Sequence, residues 1–228
     1  MKINKAYTLL VVFCILFVTT IKAQHKTYRI QNGFGIMGGI TQFDIITDNF
    51  NTKAETGWLF GGSATVDIPH KWYNISYAMQ LSQNKISIAG RASDLAQTED
   101  IAYNVFAAQV GLFMHIKTIG SHLTLDIGPM LQYNDRLILE DENKENYIID
   151  NYALLRAEDI SDISKFNIDG SVGLTAGFEF IKIRAQYIYG FTNILGKLND
   201  KSLDTSGFSE SKFKGNQSML VFGAMITF

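Results

Sequence analysis

The last eleven residues, Ser218 to Phe228, constrain the fold more than any other stretch of the chain. Successive side chains of an extended strand point to opposite sides of a sheet. One side here would carry Leu220, Phe222, Ala224, Ile226 and Phe228. The other side would carry Met219, Val221, Gly223, Met225 and Thr227. The pattern predicts a strand with one strongly apolar face and an aromatic residue at its end.

Seven further segments alternate in the same way. The predicted strands are 34–45, 57–68, 72–83, 102–117, 122–133, 167–180, 182–192 and 216–228. The composition, with 19 Gly, 16 Phe, 10 Tyr and only 2 Pro, suits a β-rich chain with many aromatic residues. The sequence therefore predicts an all-β fold of eight strands.

Two of these strands are predicted to be irregular. In strand 102–117 the residues predicted to point outward are at odd positions at first, Tyr103 and Val105, and at even positions from Val110 onward. An extra residue in the strand would explain this change, so a bulge is predicted near 107–109. In 122–133 the ring of Pro129 removes a main-chain donor, which predicts a local break in strand pairing.

The connections alternate between long and short along the whole chain. Tight turns at one end and long loops at the other indicate an antiparallel up-and-down barrel, and an even strand number places both termini at the short-turn end. Strands of about 11 residues match the smallest transmembrane barrels. The longest connection, Asn134 to Lys165, carries nine acidic and four basic residues.

The placement of charge separates a membrane barrel from a soluble one. Glu179, Lys182 and Arg184 share a face with small and polar residues, while aromatic residues take the other face. A soluble lipocalin-like barrel would have the reverse arrangement, with an apolar interior and charges outside. The sequence predicts a transmembrane barrel in the outer membrane, contacting its lipid, with both termini in the periplasm.

The N-terminal segment has the features of a secretory signal. Lys2 and Lys5 precede an apolar run from Ala6 to Val18, and cleavage after Ala23 is predicted. Residues 1–23 are thus predicted to be a signal peptide and residues 24–228 the barrel domain. Cleavage would remove three of the 20 basic residues and none of the 22 acidic ones, so the formal charge would change from −2 to −5. This acidic balance disfavours nucleic-acid binding.

Segments in the second half of the chain resemble a known family. Leu125 to Asn134 (LDIGPMLQYN) and Ala185 to Ile194 (AQYIYGFTNI), with the closing strand, look like the PorT-like outer-membrane β-barrel domain, a small Bacteroidetes-type barrel. The resemblance runs from about Phe34 to Phe228. It implies a barrel of the cell envelope and, through the family's founding member, a role in protein secretion. In such barrels the terminal aromatic, here Phe228, is part of the signal that the barrel-insertion machinery reads.

Six ionisable residues are predicted to face the lumen near the short-turn end. They are Asp67, His115, Asp126, Glu179, Lys182 and Arg184. Because an unpaired buried charge is very costly, these groups are expected to form a network that fills the barrel; the alternative is a gated polar path. A second set, Trp58, Trp72, Tyr73, Tyr133 and Tyr189, is predicted to form the aromatic girdles at the two membrane interfaces.

The predicted function is non-enzymatic. No His is placed for catalysis at the external rim, and the acidic run EDENKEN (140–146) lacks the glycine of an EF-type calcium loop, so neither a catalytic site, a metal site nor a cofactor is predicted. A structural or surface-interaction barrel is favoured, with loop 134–165 as the contact surface for an envelope protein. The alternatives are an accessory component of a protein-secretion machine and a narrow porin-like channel.

Overall fold

Eight long strands close into a single antiparallel ring. The structure, a computed structural model, describes residues 31–93, 95–178, 180–207 and 212–228. The predicted signal peptide and Glu179 lie outside this range. The long strands are β1 (Gln31–Ile46), β2 (Thr52–Asp67), β3 (Tyr73–Arg91), β4 (Glu99–Ile119), β5 (Leu123–Asn134), β8 (Phe166–Gly177), β9 (Ile181–Gly190) and β10 (Asn216–Thr227). Two short strands, β6 (Ile138–Leu139) and β7 (Ile148–Ile149), lie in the longest loop.

The ring is closed by pairing between the first and last strands. β10 is antiparallel to β1 from Gly35–Thr227 to Ile46–Asn216, and every other long strand pairs with its neighbour in chain order. The predicted up-and-down barrel of eight strands is confirmed. In the described residues, the other regular elements are three short 3₁₀ helices, Glu142–Lys144, Asp159–Ser161 and Gly196–Asp200. No helix in the described part of the chain is long and apolar enough to cross a membrane.

Alternation within each strand produces two chemically different faces. Along β8 the outward Ile168, Val172 and Leu174 are 46–51% exposed, whereas the inward Asn167, Asp169 and Thr175 are buried. Phe178 and Phe222 also lie outside, with 78% and 50% of their surface exposed. The wall of the barrel is thus covered by large apolar side chains, and polar groups are packed inside it.

The strands have unequal lengths, and the extra length lies at the long-loop end. β3 continues to Arg91, beyond the predicted end at 83, and β4 begins at Glu99. The sequence predicts a connection between the strands 72–83 and 102–117, but Ile86, Ile88 and Ile101 in that interval belong to the strands and are fully buried. These isoleucines pack against the loops that cover the barrel, so the β3–β4 hairpin rises above the other strands.

The bulge predicted at 107–109 is wrong. β3 and β4 pair in one continuous register from Tyr73–Ile116 to Gly90–Glu99. Tyr103 and Val105, predicted to point outward, are only 0% and 1% exposed. They point inward because the loops supply apolar partners inside this end of the barrel. At Pro129 the pairing of β5 with β4 is missing between Gly111–Met130 and Met114–Ile127, but the register does not change.

A folded cap covers the long-loop end of the barrel. We use this name for the connections 47–51, 135–165 and 191–215, as far as they are described, together with the tip of the β3–β4 hairpin. Its buried core includes Phe50, Leu137, Ile149, Tyr152, Leu155, Ile160, Ile163, Ile194, Leu195, Leu198 and Phe213. The cap is held to the barrel by main-chain pairing of β6 with β4 and of β7 with β3. The mouth of the barrel at the long-loop end is therefore closed by an apolar core.

Candidate functional site

The charged cluster in the lumen is centred on Asp126 of β5. Its Oδ1 lies 2.7 Å from Nδ1 of His115, and its Oδ2 lies 3.5 Å from Nε of Arg184. Asp126, His115 and Arg184 are 4%, 6% and 6% exposed. The register explains the meeting, because His115 on β4 is directly opposite Asp126. Arg184 reaches the carboxylate across β8 from the next strand, β9.

Hydroxyl groups complete the coordination of this carboxylate. Thr124 Oγ1 donates to Asp126 Oδ1 at 2.7 Å, and Thr175 Oγ1 donates to Oδ2. Thr175 Oγ1 also accepts a hydrogen bond from Arg184 Nε at 2.9 Å. Both carboxylate oxygens therefore have donors, which is what a buried charge requires. Sequence reasoning missed the two threonines, although both lie on the predicted inward face.

The other predicted lumen charges occupy the same end of the barrel but do not join the cluster. Asp67 forms its ion pair with Lys117, at 2.8 Å between Oδ1 and Nζ. Lys182 points inward beside Arg184, within electrostatic range of Asp67 and Asp126, yet it forms no ion pair with any described residue. The structure thus brings together His115, Asp126 and Arg184, pairs Asp67 elsewhere and leaves Lys182 without a counter-ion.

A cavity opens beside the cluster at the short-turn end. It has a volume of about 400 Å³, and its polar lining includes Asp67, Asn74, His115, Thr175, Lys182 and Arg184. Phenylalanines form its rim: Phe34, Phe178, Phe180 and Phe228. We call this cavity the mouth pocket. It is the place where charged lumen residues are accessible from outside the barrel.

Ser76, together with His115 and Asp126 of the cluster, has the spacing of a nucleophile, a base and an orienting carboxylate. Ser76 Oγ is 2.6 Å from His115 Nε2, and His115 Nδ1 is 2.7 Å from Asp126. However, Ser76 is 2% exposed and does not line the mouth pocket, so a substrate in the pocket would not contact its hydroxyl. Arg184 also already neutralises Asp126. Because catalysis requires a place for the reacting atom beside the nucleophile, this arrangement favours a structural hydrogen-bond chain.

A layer of amide side chains fills the middle of the lumen. Gln132 on β5 is hydrogen-bonded to Gln109 of β4, to Asn134, and across the lumen to Gln217 of β10. Gln217 Nε2 also donates to Asp169 Oδ2 at 3.2 Å. Asp169, which was not among the predicted lumen charges, is 0% exposed. Its inward position follows from the alternation of β8, so the sequence contained the signal.

Four of the five predicted girdle residues lie near the ends of their strands, whereas Trp58 is the seventh of the 16 residues of β2. Tyr133 and Tyr189 lie toward the cap, and the ring centroids of Tyr133 and Phe166 are 5.0 Å apart. Trp72 and Tyr73 lie at the short-turn end with centroids 5.0 Å apart. Phe166, Phe178, Phe180 and Phe191 extend these two bands and were not in the predicted set. Phe228 follows β10 at the short-turn end; its main-chain N–H donates to Phe34 at 2.8 Å.

Polar contacts join the loops of the cap. Lys197 Nζ lies 2.6 Å from Asp162, linking the loop before β10 to the loop before β8. This hydrogen bond and the nearby Lys201 hold the pKa of Asp162 below its usual range. The side chain of Asn49 binds the main chain of Lys212 and Lys214. Within the described residues, no group of three His, Cys, Asp or Glu side chains could hold a metal ion.

The chain was compared with known proteins. No protein-family model matches it, and no curated protein sequence matches it. Neisserial surface protein A (NspA) is similar in structure, with 10% identity and a TM-score of 0.47 over 86% of this chain and 97% of that one.

Two further solved structures are similar. The N-terminal β-barrel domain of Pseudomonas aeruginosa OprF has 12% identity and a TM-score of 0.42, over 88% of this chain and 100% of that one. The translocator domain of the autotransporter NalP from Neisseria meningitidis has 10% identity and a TM-score of 0.30, over 98% and 95% of the two chains. These likenesses concern the architecture of the barrel alone.

Proposed function

We propose that this chain is a non-enzymatic outer-membrane β-barrel with a sealed lumen, whose cap is a contact surface for another protein of the cell envelope. The observation that carries the proposal is the cap itself. Its loops bury an apolar core over the mouth of the barrel and leave a charged surface outside. A barrel that only had to span the membrane would not need an ordered structure of this size above one end.

The wall supports the membrane location. Its large side chains are about half exposed all around the ring, including Phe60, Leu112, Leu174 and Phe222. Such a surface is stable only against an apolar solvent, because a soluble protein rarely exposes an apolar patch of more than a few hundred Å². Aromatic bands at both ends match the two lipid–water interfaces.

Replacement of Val172 by arginine tests the membrane location. Val172 lies at the middle of β8 and points outward. An arginine near the bilayer midplane should lower the free energy of unfolding by about 2–4 kcal/mol, measured by urea titration in lipid vesicles. Leu154→Arg, at an exposed position of the cap, is the matched control and should change it little. An equal, small effect at both positions would contradict the membrane location.

The membrane location implies an orientation. The short-turn end, with both termini, would face the periplasm, and the cap would lie outside the cell. Residues 1–23 would act as the secretory signal, and Phe228 would be read by the insertion machinery. The exposed ring of Phe228 at the end of the last strand is compatible with this role.

The outer surface of the cap supports a contact role. Loop 134–165 carries an excess of acidic residues, and Glu142 and Glu145 form no ion pair with the described residues. Charge complementarity at such a surface increases the rate and specificity of association. The partner that fits is a protein with a basic surface.

Neutralising the acidic face tests this role. The double variant Glu142→Gln/Glu145→Gln should reduce co-purification of the partner from native membranes, because it removes charges without removing packed side chains. Asp48→Asn, an exposed acid in a different cap loop, is the control and should leave co-purification unchanged. If the wild-type protein brings down no envelope protein after cross-linking, the contact role is wrong.

The resemblance to the PorT-like family favours a second candidate, an accessory role in protein secretion. Two segments carry that resemblance: Leu125–Asn134 lies in β5, and Ala185–Ile194 covers the second half of β9 and the start of the loop that follows. The same co-purification distinguishes the two functions, since a secretion subunit should bring down several other envelope proteins. A narrow channel is not proposed, because the amide layer and the cap both obstruct the lumen.

A further inference from the structure

The mouth pocket contains two cationic groups that the lumen network does not use. Arg184 is held by Thr175 and Asp126 through its Nε, while its two Nη groups form no hydrogen bond with the described residues. Lys182 lines the same cavity and has no ion pair there. These donors thus have no hydrogen-bond or ion-pair partner among the described residues.

The described side chains that line the pocket include one acid, Asp67, two cations, Lys182 and Arg184, and the histidines His115 and His122. Two further charges, Lys117 and Asp126, pair with lining residues from outside the pocket. Lys117 and Asp67 neutralise each other, and Asp126 balances Arg184. Lys182 is therefore left without an ion-pair partner among the described residues, at the edge of a low-dielectric lumen where an anion would be attracted.

The geometry of the donors suits an oxyanion with several oxygens. A guanidinium with free Nη groups binds two oxygens of one phosphate or carboxylate side by side, and a lysine ammonium adds a third contact. Asn74 Oδ1, also in the pocket, is buried and accepts no hydrogen bond. A hydroxyl group of the ligand, either the P–OH of a phosphate monoanion or an alcohol of a headgroup, would supply the missing donor, and chloride could not.

We propose that the mouth pocket binds a phosphate group through Lys182, Arg184 and Asn74. The phosphate would come either from a small soluble phosphate compound or from the headgroup of a phospholipid at the membrane surface. The phenylalanine rim would contact the apolar part of such a ligand. The proposal does not depend on the role of the cap, so either can fail without the other.

The probe for the test is inorganic phosphate added to the purified barrel in zwitterionic detergent. Binding should raise the midpoint of thermal unfolding relative to chloride at equal ionic strength and pH. Lys182→Met should weaken phosphate binding about tenfold or more, the effect of losing one charge-assisted contact. Lys214→Met is the matched control, because Lys214 is also without an ion pair but lies in the cap; it should bind phosphate like the wild type.

A second arm identifies the source of the phosphate. In nanodiscs of phosphatidylcholine, addition of phosphatidylglycerol should compete with inorganic phosphate if a headgroup enters the pocket, and should not compete if the ligand is soluble. Either result supports the site. Absence of phosphate binding to the wild-type protein, or equal binding by Lys182→Met and the wild type, would overturn the proposal.

Discussion

Replacement of Asp126 by alanine should lower the free energy of unfolding of the barrel by about 3–5 kcal/mol. The variant leaves Arg184 buried in the lumen without a carboxylate, and it removes acceptors from Thr124, Thr175 and His115. Breaking one side of a buried ion pair costs more than the pair itself contributes, because the remaining charge keeps its desolvation penalty. Urea titration in lipid vesicles measures the effect.

A double variant separates the loss of the pair from the loss of packing. Asp126→Asn/Arg184→Met removes both charges and keeps side chains of similar size, so it should recover most of the stability that Asp126→Ala loses. If Asp126→Ala costs less than about 1 kcal/mol, the value of an exposed ion pair, then the cluster is more hydrated than the structure indicates.

Replacement of Phe213 by alanine should loosen the cap and leave the barrel intact. Phe213 is 3% exposed, and its ring lies 5.8 Å from that of Phe50 and 6.2 Å from that of Tyr152 between centroids. These three rings come from three different loops, so their contact joins the loops through apolar packing, in addition to the polar contacts of Asp162 and Asn49. Truncating a buried phenylalanine costs about 3–5 kcal/mol, and here the cost should lower the free energy of local unfolding of the cap.

Limited proteolysis measures this effect. Loop 134–165 should be cleaved much faster in Phe213→Ala than in the wild type, while the heat-dependent shift of the folded barrel on electrophoresis stays. The main chain of Phe213 is bound by Asn193 and Asn199 and is unaffected by the substitution. Leu154→Ala, at a 62% exposed position of the same cap, is the control. Unchanged cleavage would mean that the aromatic cluster does not hold the loops.

The barrel could be predicted because its strands face two different environments. Lipid-like exposure on one side and a narrow lumen on the other impose a strict period of two, which β8, β9 and β10 show clearly. The same alternation placed Asp126 and Arg184 inside. The sequence could predict that each of these buried charges needs a partner, but not which residue the partner is. The register that places His115 opposite Asp126 is set only when the sheet is formed.

The cap could not be predicted, because it does not follow the rule that apolar strand residues point outward, on which the prediction of the barrel rests. Tyr103 and Val105 are apolar and point inward, so at this end an apolar side chain no longer marks the lipid side. The many charged residues of loop 134–165 predict an exposed contact surface and not a packed structure. Its sparse apolar residues, such as Leu137, Ile149 and Ile160, are buried only in combination with other loops. Their spacing follows no helix or strand period, so pattern analysis had no signal to detect.

The unequal strand lengths determine how the cap can move. β4 has 21 residues and β9 has 10, while a transmembrane strand needs about 9–11. The cap is joined edge to edge to the tall side of the sheet through Tyr103–Leu139 and Gly90–Ile149. Lifting the cap would require breaking these main-chain pairings. The described cap thus closes the long-loop entrance, and the short-turn end, where the mouth pocket opens, is the route by which a solute would reach the lumen.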